Sequence, residues 1–426
     1  MGDICYKEAM RGVRLKAICI GLLAIAVACG GPPEAPTGTT SATPPTVLLI
    51  SMDGFRWDHP ELADTPNLDR LIRNGVRAEG LIPVFPSKTF PAHYSVVTGL
   101  HPGKHGVISN NMRDPRWPDV IFGQTAREEV QKARWWGGEP IWVTAHEQGQ
   151  QTAVYFWPGS EAPIQGVLPD TWFPYDGSVP WDTRIATTLE WLDRAQPERP
   201  EFIALYFEEP NTAGHRYGPE AAETIAAVTA VDAALGRLLD GLETRGLMQS
   251  TNIVVVSDHG MVLNDPERVV VLDDYVQLSR EELFEAGALL QIFPSEGRDQ
   301  EIYDALVDAH PRLRVFRPWD APSEFFLENN ARLAPIMGSP DPGWEVLPRA
   351  VAEGRGVIPG DHGQDPSYPD MHGIFVASGP AFREGVTIDR YRSVDIYNVL
   401  AAALGLDPAV NDGDPDRAAE VLRPGR

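Results

Sequence analysis

A short apolar run that stops at an acid and an imidazole most constrains how this chain can fold. Residues 253–256 read Ile-Val-Val-Val and lead directly into Ser257, Asp258, His259 and Gly260. An uninterrupted β-branched run of this length is typical of a strand covered on both faces of a parallel sheet. Ligands of open α/β sheets bind just beyond the carboxyl ends of such strands. Asp258 and His259 therefore suit a divalent metal such as zinc, although such a pair alone is more often an ordinary turn.

The same pattern of an apolar run followed by polar side chains recurs along the chain. Residues 46–50 lead to Asp53, and residues 202–207 lead to Asn211 and His215. Helical stretches separate these runs, which indicates a doubly wound α/β sheet. The carboxyl ends of parallel strands share one edge of the sheet. The side chains that follow these strands can therefore lie close to one another and to the loops that carry Thr89 and His362. We expect two metal sites, one from Asn211, His215 and His362, and the other from Asp53, Asp258, His259 and the Thr89 hydroxyl.

Two loop residues have the chemistry of a phosphoryl-transfer site. Thr89 lies in a proline-rich loop, just ahead of a helix predicted to follow Pro91. The N-terminus of a helix favours an anion, so Thr89 is either a helix cap, the commoner role, or a nucleophile. Asn110 can donate to a phosphoryl oxygen or simply form a turn. Two zinc ions about 4 Å apart are able to clamp the attacking and leaving oxygens of a phosphoryl displacement.

Composition and the N-terminus bound the remaining possibilities. A net charge of −24 over 426 residues argues against a nucleic-acid polymer as partner. Basic residues and then an apolar run too short to span a bilayer predict a signal peptide over residues 1–28. Cys29 follows small residues, as in a bacterial lipoprotein signal, although Ala26 stands where leucine is usual and leaves plain signal-peptidase cleavage open. Residues 29–45 are predicted to be a flexible linker and 46–426 the catalytic domain.

These expectations imply an exported protein that is either periplasmic or anchored to the outer membrane by lipid on Cys29. The only partners indicated are a small-molecule phosphodiester substrate and, through the lipid anchor, a membrane. No protein partner can be inferred from the sequence.

The segments around these residues resemble the nucleotide pyrophosphatase/phosphodiesterase family of the alkaline phosphatase superfamily, in its bacterial type. They read MDGFR at 52–56, PSKTFP at 86–91, HGVISNNM at 105–112, WGGEP at 136–140, YFEEP at 206–210, GH at 214–215 and SDHG at 257–260. The resemblance covers nearly all of residues 46–426. It implies an α/β fold with an alkaline phosphatase-like core, in which a mostly parallel sheet is sandwiched between helices in a single domain.

The resemblance also implies a role for each site residue. Thr89 would be the nucleophile that forms a phosphothreonine, and Asn110 would donate to a phosphoryl oxygen. Two Zn²⁺ ions would occupy the two predicted metal sites, and Phe90, Tyr175, Asn110 and Tyr206 would contact the substrate. The family has aspartate where this chain has Asn211. We therefore expect weaker or altered zinc occupancy at that site.

The implied activity is that of a zinc-dependent phosphodiesterase and nucleotide pyrophosphatase. An alternative keeps the same site for a phospholipase C-type or choline-phosphodiester reaction on a lipid head group. A second alternative is a metal-poor binding protein, which the loss of the aspartate at Asn211 motivates. A phosphomonoesterase is less favoured, because no arginine stands beside the Thr89 motif to clamp a further anionic oxygen.

Overall fold

The computed structural model describes residues 46–328 and 330–425. The predicted signal peptide and linker lie outside these residues, so both remain predictions. Residues from Thr46 onward group into one compact unit, in agreement with the expected single domain. No helix in the described part of the chain combines the length and apolarity needed to cross a bilayer.

The bounds of the strands and helices are as follows. The strands are β1 Thr46–Met52, β2 Gly75–Ala78, β3 Leu81–Ile82, β4 Asn111–Arg113, β5 Ile121–Gly123, β6 Thr152–Tyr155, β7 Thr171–Phe173, β8 Phe202–Phe207, β9 Thr251–Val256, β10 Val262–Leu263, β11 Val269–Val271, β12 Leu283–Glu285, β13 Leu290–Ile292, β14 Leu313–Phe316, β15 Ile336–Pro340, β16 Glu345–Leu347, β17 Gly360–Asp361, β18 Phe375–Ser378, β19 Val386–Ile388 and β20 Tyr391–Arg392. The helices are α1 His59–Leu62, α2 Pro66–Arg73, α3 Thr89–Thr98, α4 Pro102–His105, α5 Arg127–Val130, α6 Ile141–Glu147, α7 Trp181–Leu192, α8 Asn211–Tyr217, α9 Ala222–Thr244, α10 Asp299–Leu306, α11 Arg349–Glu353, α12 Ile396–Leu404 and α13 Ala418–Val421.

An eight-stranded sheet in the order β19-β2-β18-β9-β1-β8-β6-β7 forms the centre of the fold. The strands β9, β1, β8, β6 and β7 pair in parallel, whereas β18 runs antiparallel to both of its neighbours. The prediction of a mostly parallel sheet is therefore confirmed. The β1 strand lies between β8 and β9, so the three strands that precede Asp53, Asn211 and Asp258 are adjacent.

Helices cover both faces of this sheet, because alternate residues of its buried strands point to opposite sides. Val47 and Leu49 of β1 face a core that includes residues of α3, α6 and α12. Leu48 and Ile50 face a second core built with α2, α7 and α9. The sheet is thus the middle layer of three, and its strands are apolar on both faces, as the uninterrupted runs predicted.

The chain between β10 and β17 forms a smaller four-stranded sheet, β12-β13-β15-β14. This sheet packs with α10 around a separate hydrophobic core. The charged composition of residues 280–286 suggests a helix, and that prediction is wrong. Leu283–Glu285 is strand β12, paired antiparallel with β13. Just before it, the buried Glu282 carboxylate accepts from the backbone N–H groups of Ser279 and Ser295 and pairs with Arg298. These long-range contacts outweigh the local helix propensity.

Candidate active site

The carboxyl ends of β1 and β9 bring the first group of predicted ligands together. Asp53 follows β1 directly, and Gly54 then adopts a φ of +68°, which a glycine accommodates without strain. The Gly54 N–H donates to Asp258 Oδ1 at 3.1 Å, so the turn after β1 holds the carboxylate that follows β9. A Cβ on Gly54 would lie 2.8 Å from Asn211 Cβ, which shows how closely the start of α8 approaches this turn.

The Thr89 hydroxyl reaches this group from the other side of the cleft. The α3 helix begins at Thr89 itself, three residues earlier than expected, with extended backbone at Lys88. Thr89 Oγ1 lies 3.5 Å from His259 Nε2. His259 Nε2 is in turn 3.0 Å from Asp258 Oδ2 and 3.6 Å from Asp53 Oδ1. All four side chains of this predicted site are buried and meet at one point.

The second group of predicted ligands lies beside the first. His215 and His362 point their Nε2 atoms at one another across 3.2 Å. Their Nδ1 atoms lie 2.8 Å from Gly360 O and 2.7 Å from Ser87 O, which favours the Nδ1–H tautomer and leaves both Nε2 atoms free to bind a metal. The rings of His362 and His259 stack with centroids 3.5 Å apart, so the two sites are neighbours. Asn211, four residues before His215 on α8, has an Oδ1 atom that is buried and accepts no hydrogen bond.

The donor set fits divalent cations. Asp53 Oδ1 and Asn211 Oδ1 are both buried without a hydrogen-bond donor, which costs free energy unless a cation satisfies them. Burial raises the pKa of Asp53 to about 7, and the Asp258 carboxylate adds to this rise. Burial would also raise the pKa of Asp258, but charges on His259 and His93 hold it well below its usual range. A bound dication would allow both carboxylates to ionise together.

A cavity of about 220 Å³ opens from Asp53, Thr89 and Asn211. The predicted substrate contacts Phe90, Tyr175 and Tyr206 line it, together with Arg127 and Glu161, which the sequence did not single out. Tyr175 is 39% exposed, and the Arg127 guanidinium carbon lies over its ring, 5.6 Å from the centroid. Tyr206 has an additional task, because its hydroxyl donates to Asp53 Oδ2 at 2.6 Å and so orients that carboxylate.

Asn110 lies over the start of α3. Its Oδ1 atom accepts from the Phe90 N–H at 2.8 Å and thereby satisfies one of the unpaired donors in the first helical turn. Because Oδ1 is occupied, the amide Nδ2 remains as the donor available to a ligand beside Thr89. The structural role weighed from the sequence thus belongs to Oδ1, and the ligand-binding role stays a prediction for Nδ2.

His93 is a buried member of the site that the sequence analysis missed. Its Nδ1 lies 2.9 Å from Thr89 O and 3.1 Å from Asp258 Oδ2, and its Nε2 lies 2.7 Å from Ser51 Oγ. The signal was its spacing: residues 89 and 93 are separated by four positions and share one face of α3. His93 therefore connects the backbone of Thr89 to the Asp258 carboxylate.

Comparison with known proteins gives one consistent set of relatives. A family described as type I phosphodiesterase / nucleotide pyrophosphatase matches residues 47–365. The chain is 36% identical over 402 residues to human ectonucleotide pyrophosphatase/phosphodiesterase family member 1, covering 92% of this chain and 43% of the relative. It is 34% identical over 379 residues to human bis(5'-adenosyl)-triphosphatase ENPP4, covering 88% of this chain and 81% of that protein. The chain thus spans less than half the length of the first of these relatives.

Solved structures give the same result. Murine ectonucleotide pyrophosphatase/phosphodiesterase 5 superposes with a TM-score of 0.84 at 34% identity, over 89% of this chain and 100% of the murine chain. An inactive threonine-to-alanine variant of that murine protein, in complex with AMP, superposes with a TM-score of 0.84 at 33% identity, again over 89% of this chain and 100% of the other.

Proposed function

Because the chain belongs to the type I phosphodiesterase/nucleotide pyrophosphatase family, we propose that it hydrolyses phosphodiester or pyrophosphate bonds of nucleotide-like small molecules. The position of Thr89 carries this proposal. Its hydroxyl lies at the start of α3, 3.5 Å from His259 Nε2, and on a cavity bounded by Phe90 and Tyr175. The AMP complex of the inactive murine variant supports both a threonine nucleophile and a nucleotide ligand.

The residues of the site suggest a two-step reaction. Thr89 Oγ1 forms a bond to phosphorus while the bond to the leaving oxygen breaks, which gives a phosphothreonine and the protonated leaving group. Water then attacks the same phosphorus, the bond to Oγ1 breaks, and a monophosphate and the free hydroxyl result. Throughout, the Asn110 amide donates to a phosphoryl oxygen, as in other preorganised anion sites. The aromatic faces of Phe90 and Tyr175 hold the nucleobase.

We propose that two Zn²⁺ ions complete the site. Asp53, Asp258, His259 and Thr89 would hold one, and Asn211, His215 and His362 the other. When bound, zinc supplies Lewis-acid stabilisation of the negative charge on the reacting oxygens. The chemistry of the donors supports zinc, because imidazole and carboxylate are its usual ligands in proteins.

The test is the rate of p-nitrophenol release from a p-nitrophenyl nucleotide diester and from p-nitrophenyl phosphate, with zinc added. We expect the diester to be preferred, Thr89→Ala to abolish turnover, and Thr89→Ser to retain part of it because it keeps a hydroxyl. A monoester preference would contradict the proposal. Turnover of a choline phosphodiester alone would favour the lipid head-group alternative, and failure to bind zinc would favour the binding-protein alternative.

Export and lipidation are a separate proposal that rests on the sequence of residues 1–29. Labelled palmitate should enter the wild-type protein in a bacterial host but not Cys29→Ser. Unlabelled, soluble periplasmic protein would instead indicate cleavage by an ordinary signal peptidase.

A further inference from the structure

We propose that Asp361 is the anionic ligand of the metal site formed by Asn211, His215 and His362, replacing the negative charge that Asn211 does not carry. This inference rests on the two-zinc site proposed above. It assigns a metal-binding role to a residue that the sequence analysis passed over. It also reverses the expectation that the Asn211 site is the weaker of the two.

The backbone places Asp361 directly at this site. It ends the short strand β17, which pairs with β10 just beyond the Asp258-His259 turn. Gly360, its neighbour in β17, accepts from His215 Nδ1 through its carbonyl, and His362 follows it in the chain. One carboxylate oxygen of Asp361 and one ring nitrogen each of His215 and His362 all lie within 4.8 Å of one another.

These distances suit one small ion. Two ligands about 2.05 Å from a tetrahedral zinc stand roughly 3.3 Å apart. The Nε2 atoms of His215 and His362 are already 3.2 Å apart. Asp361 Oδ1 accepts from the His362 N–H at 2.8 Å, so Oδ2 is the oxygen left for a metal.

The charge of the site also favours Asp361 as a ligand. Two neutral imidazoles and the Asn211 amide would leave a buried dication without any compensating charge, which is costly in a protein interior. Asp361 is 7% exposed, and its carboxylate groups with the ring nitrogens of His215 and His362. The competing explanation is that Asp361 only balances Lys88, whose buried ammonium lies in the field of Asp361. However, that ammonium already has an ion pair with Glu285, at 3.4 Å.

The experiment is a zinc titration of the metal-free full chain, with stoichiometry from elemental analysis and affinities from competition with a chelator. Wild type should bind two zinc ions tightly. Asp361→Asn should weaken one of them by at least about 10- to 100-fold, the loss that even an outer-shell partner causes. Glu285→Gln is the matched control, since it removes a partly buried carboxylate that pairs with Lys88 and should leave both affinities unchanged.

The variant Asn211→Asp completes a double-mutant cycle. In the wild-type background it should change the affinity little, because Asp361 already supplies the charge. In the Asp361→Asn background it should restore tight binding. The single Asn211→Asp variant keeps the proposal testable even if Asp361→Asn does not fold, since a gain of tenfold or more in wild type would contradict it.

The remaining outcomes are distinct. Two tightly bound zinc ions in Asp361→Asn would overturn this inference and leave the proposed function intact. Absence of zinc from both sites of the wild-type protein would overturn the proposed function, and this inference with it. Thermal unfolding of each metal-free variant separates a lost ligand from a damaged fold, because only the latter lowers the melting temperature in chelator.

Discussion

Asn110 offers a test that separates a structural role from a catalytic one within a single side chain. Its Oδ1 accepts from the Phe90 N–H at 2.8 Å, while its Nδ2 is available to a phosphoryl oxygen. Asn110→Asp keeps the acceptor and removes the donor, whereas Asn110→Ala removes both. The two variants should therefore lose the same catalytic interaction and differ in stability.

The magnitudes follow from the two contacts. Loss of one preorganised donor to a reacting oxyanion costs about 10²- to 10³-fold in kcat, or about 2.7–4 kcal/mol. Both variants should show this loss, and Asn110→Asp should be at least as slow because its carboxylate also repels an anionic substrate. Loss of the bond to the Phe90 N–H should lower the free energy of unfolding of Asn110→Ala by about 1 kcal/mol. Asn110→Asp should match or exceed wild-type stability, since a carboxylate near a helix N-terminus adds about 0.3–1 kcal/mol.

The assays are steady-state hydrolysis of the p-nitrophenyl nucleotide diester and urea unfolding of the same preparations. Zinc content is measured in each to show that the metal sites are intact. The reasoning is refuted if Asn110→Asp turns over within about threefold of wild type. It is equally refuted if only Asn110→Ala, the less stable variant, is slow. The loss of kcat would then result from the damaged fold and not from the missing Nδ2 donor.

Further predictions concern residues behind the site. Tyr206→Phe removes the 2.6 Å hydrogen bond to Asp53, so zinc should bind about 10- to 100-fold more weakly in chelator competition, while Tyr175→Phe should bind it normally. His93→Ala removes one of the partners of Asp258, at 3.1 Å, and should show a similar loss of zinc affinity, with about 1–3 kcal/mol lost in urea unfolding. Burial, and after it the nearby His101, lower the pKa of His105 from 6.5 to about 3. Its contribution to stability is therefore present above pH 6.5 and is lost as the pH falls towards 3, so His105→Asn should show a shallower acid decline in chelator than wild type.

The strand ends of the site could be predicted because their signal is local. An apolar run followed by an acid, as at Asp53 and Asp258, identifies both the strand and its functional end. The antiparallel direction of β18 could not be predicted in this way, since it depends on the path of the chain between distant elements. The error at residues 280–286 has the same origin: contacts of Glu282 with Ser295 and Arg298 decide the conformation of a segment whose own composition favours a helix.

Side chains that support the site were harder to find than its ligands. His93 and Asp361 carry no motif that distinguishes them from core or loop residues. Their importance depends on what they approach: the Asp258 carboxylate for His93, and two histidines from different elements for Asp361. The four-residue spacing from Thr89 within α3 was the one signal available for His93, whereas only the tertiary structure brings Asp361 to His215.

The placement of β1 between β8 and β9 has a consequence for how the protein acquires metal. The first strand of the domain cannot find both neighbours until residue 256 has been made, and His362 arrives more than a hundred residues later still. Closing such long loops is slow, because the chain loses conformational entropy before the new contacts stabilise the structure. Small zinc fingers fold around their ion, but the zinc ions proposed here would enter only a nearly finished structure. Zinc uptake would therefore be the last step of folding. A refolding experiment that follows zinc binding would measure how long the chain takes to reach its native structure.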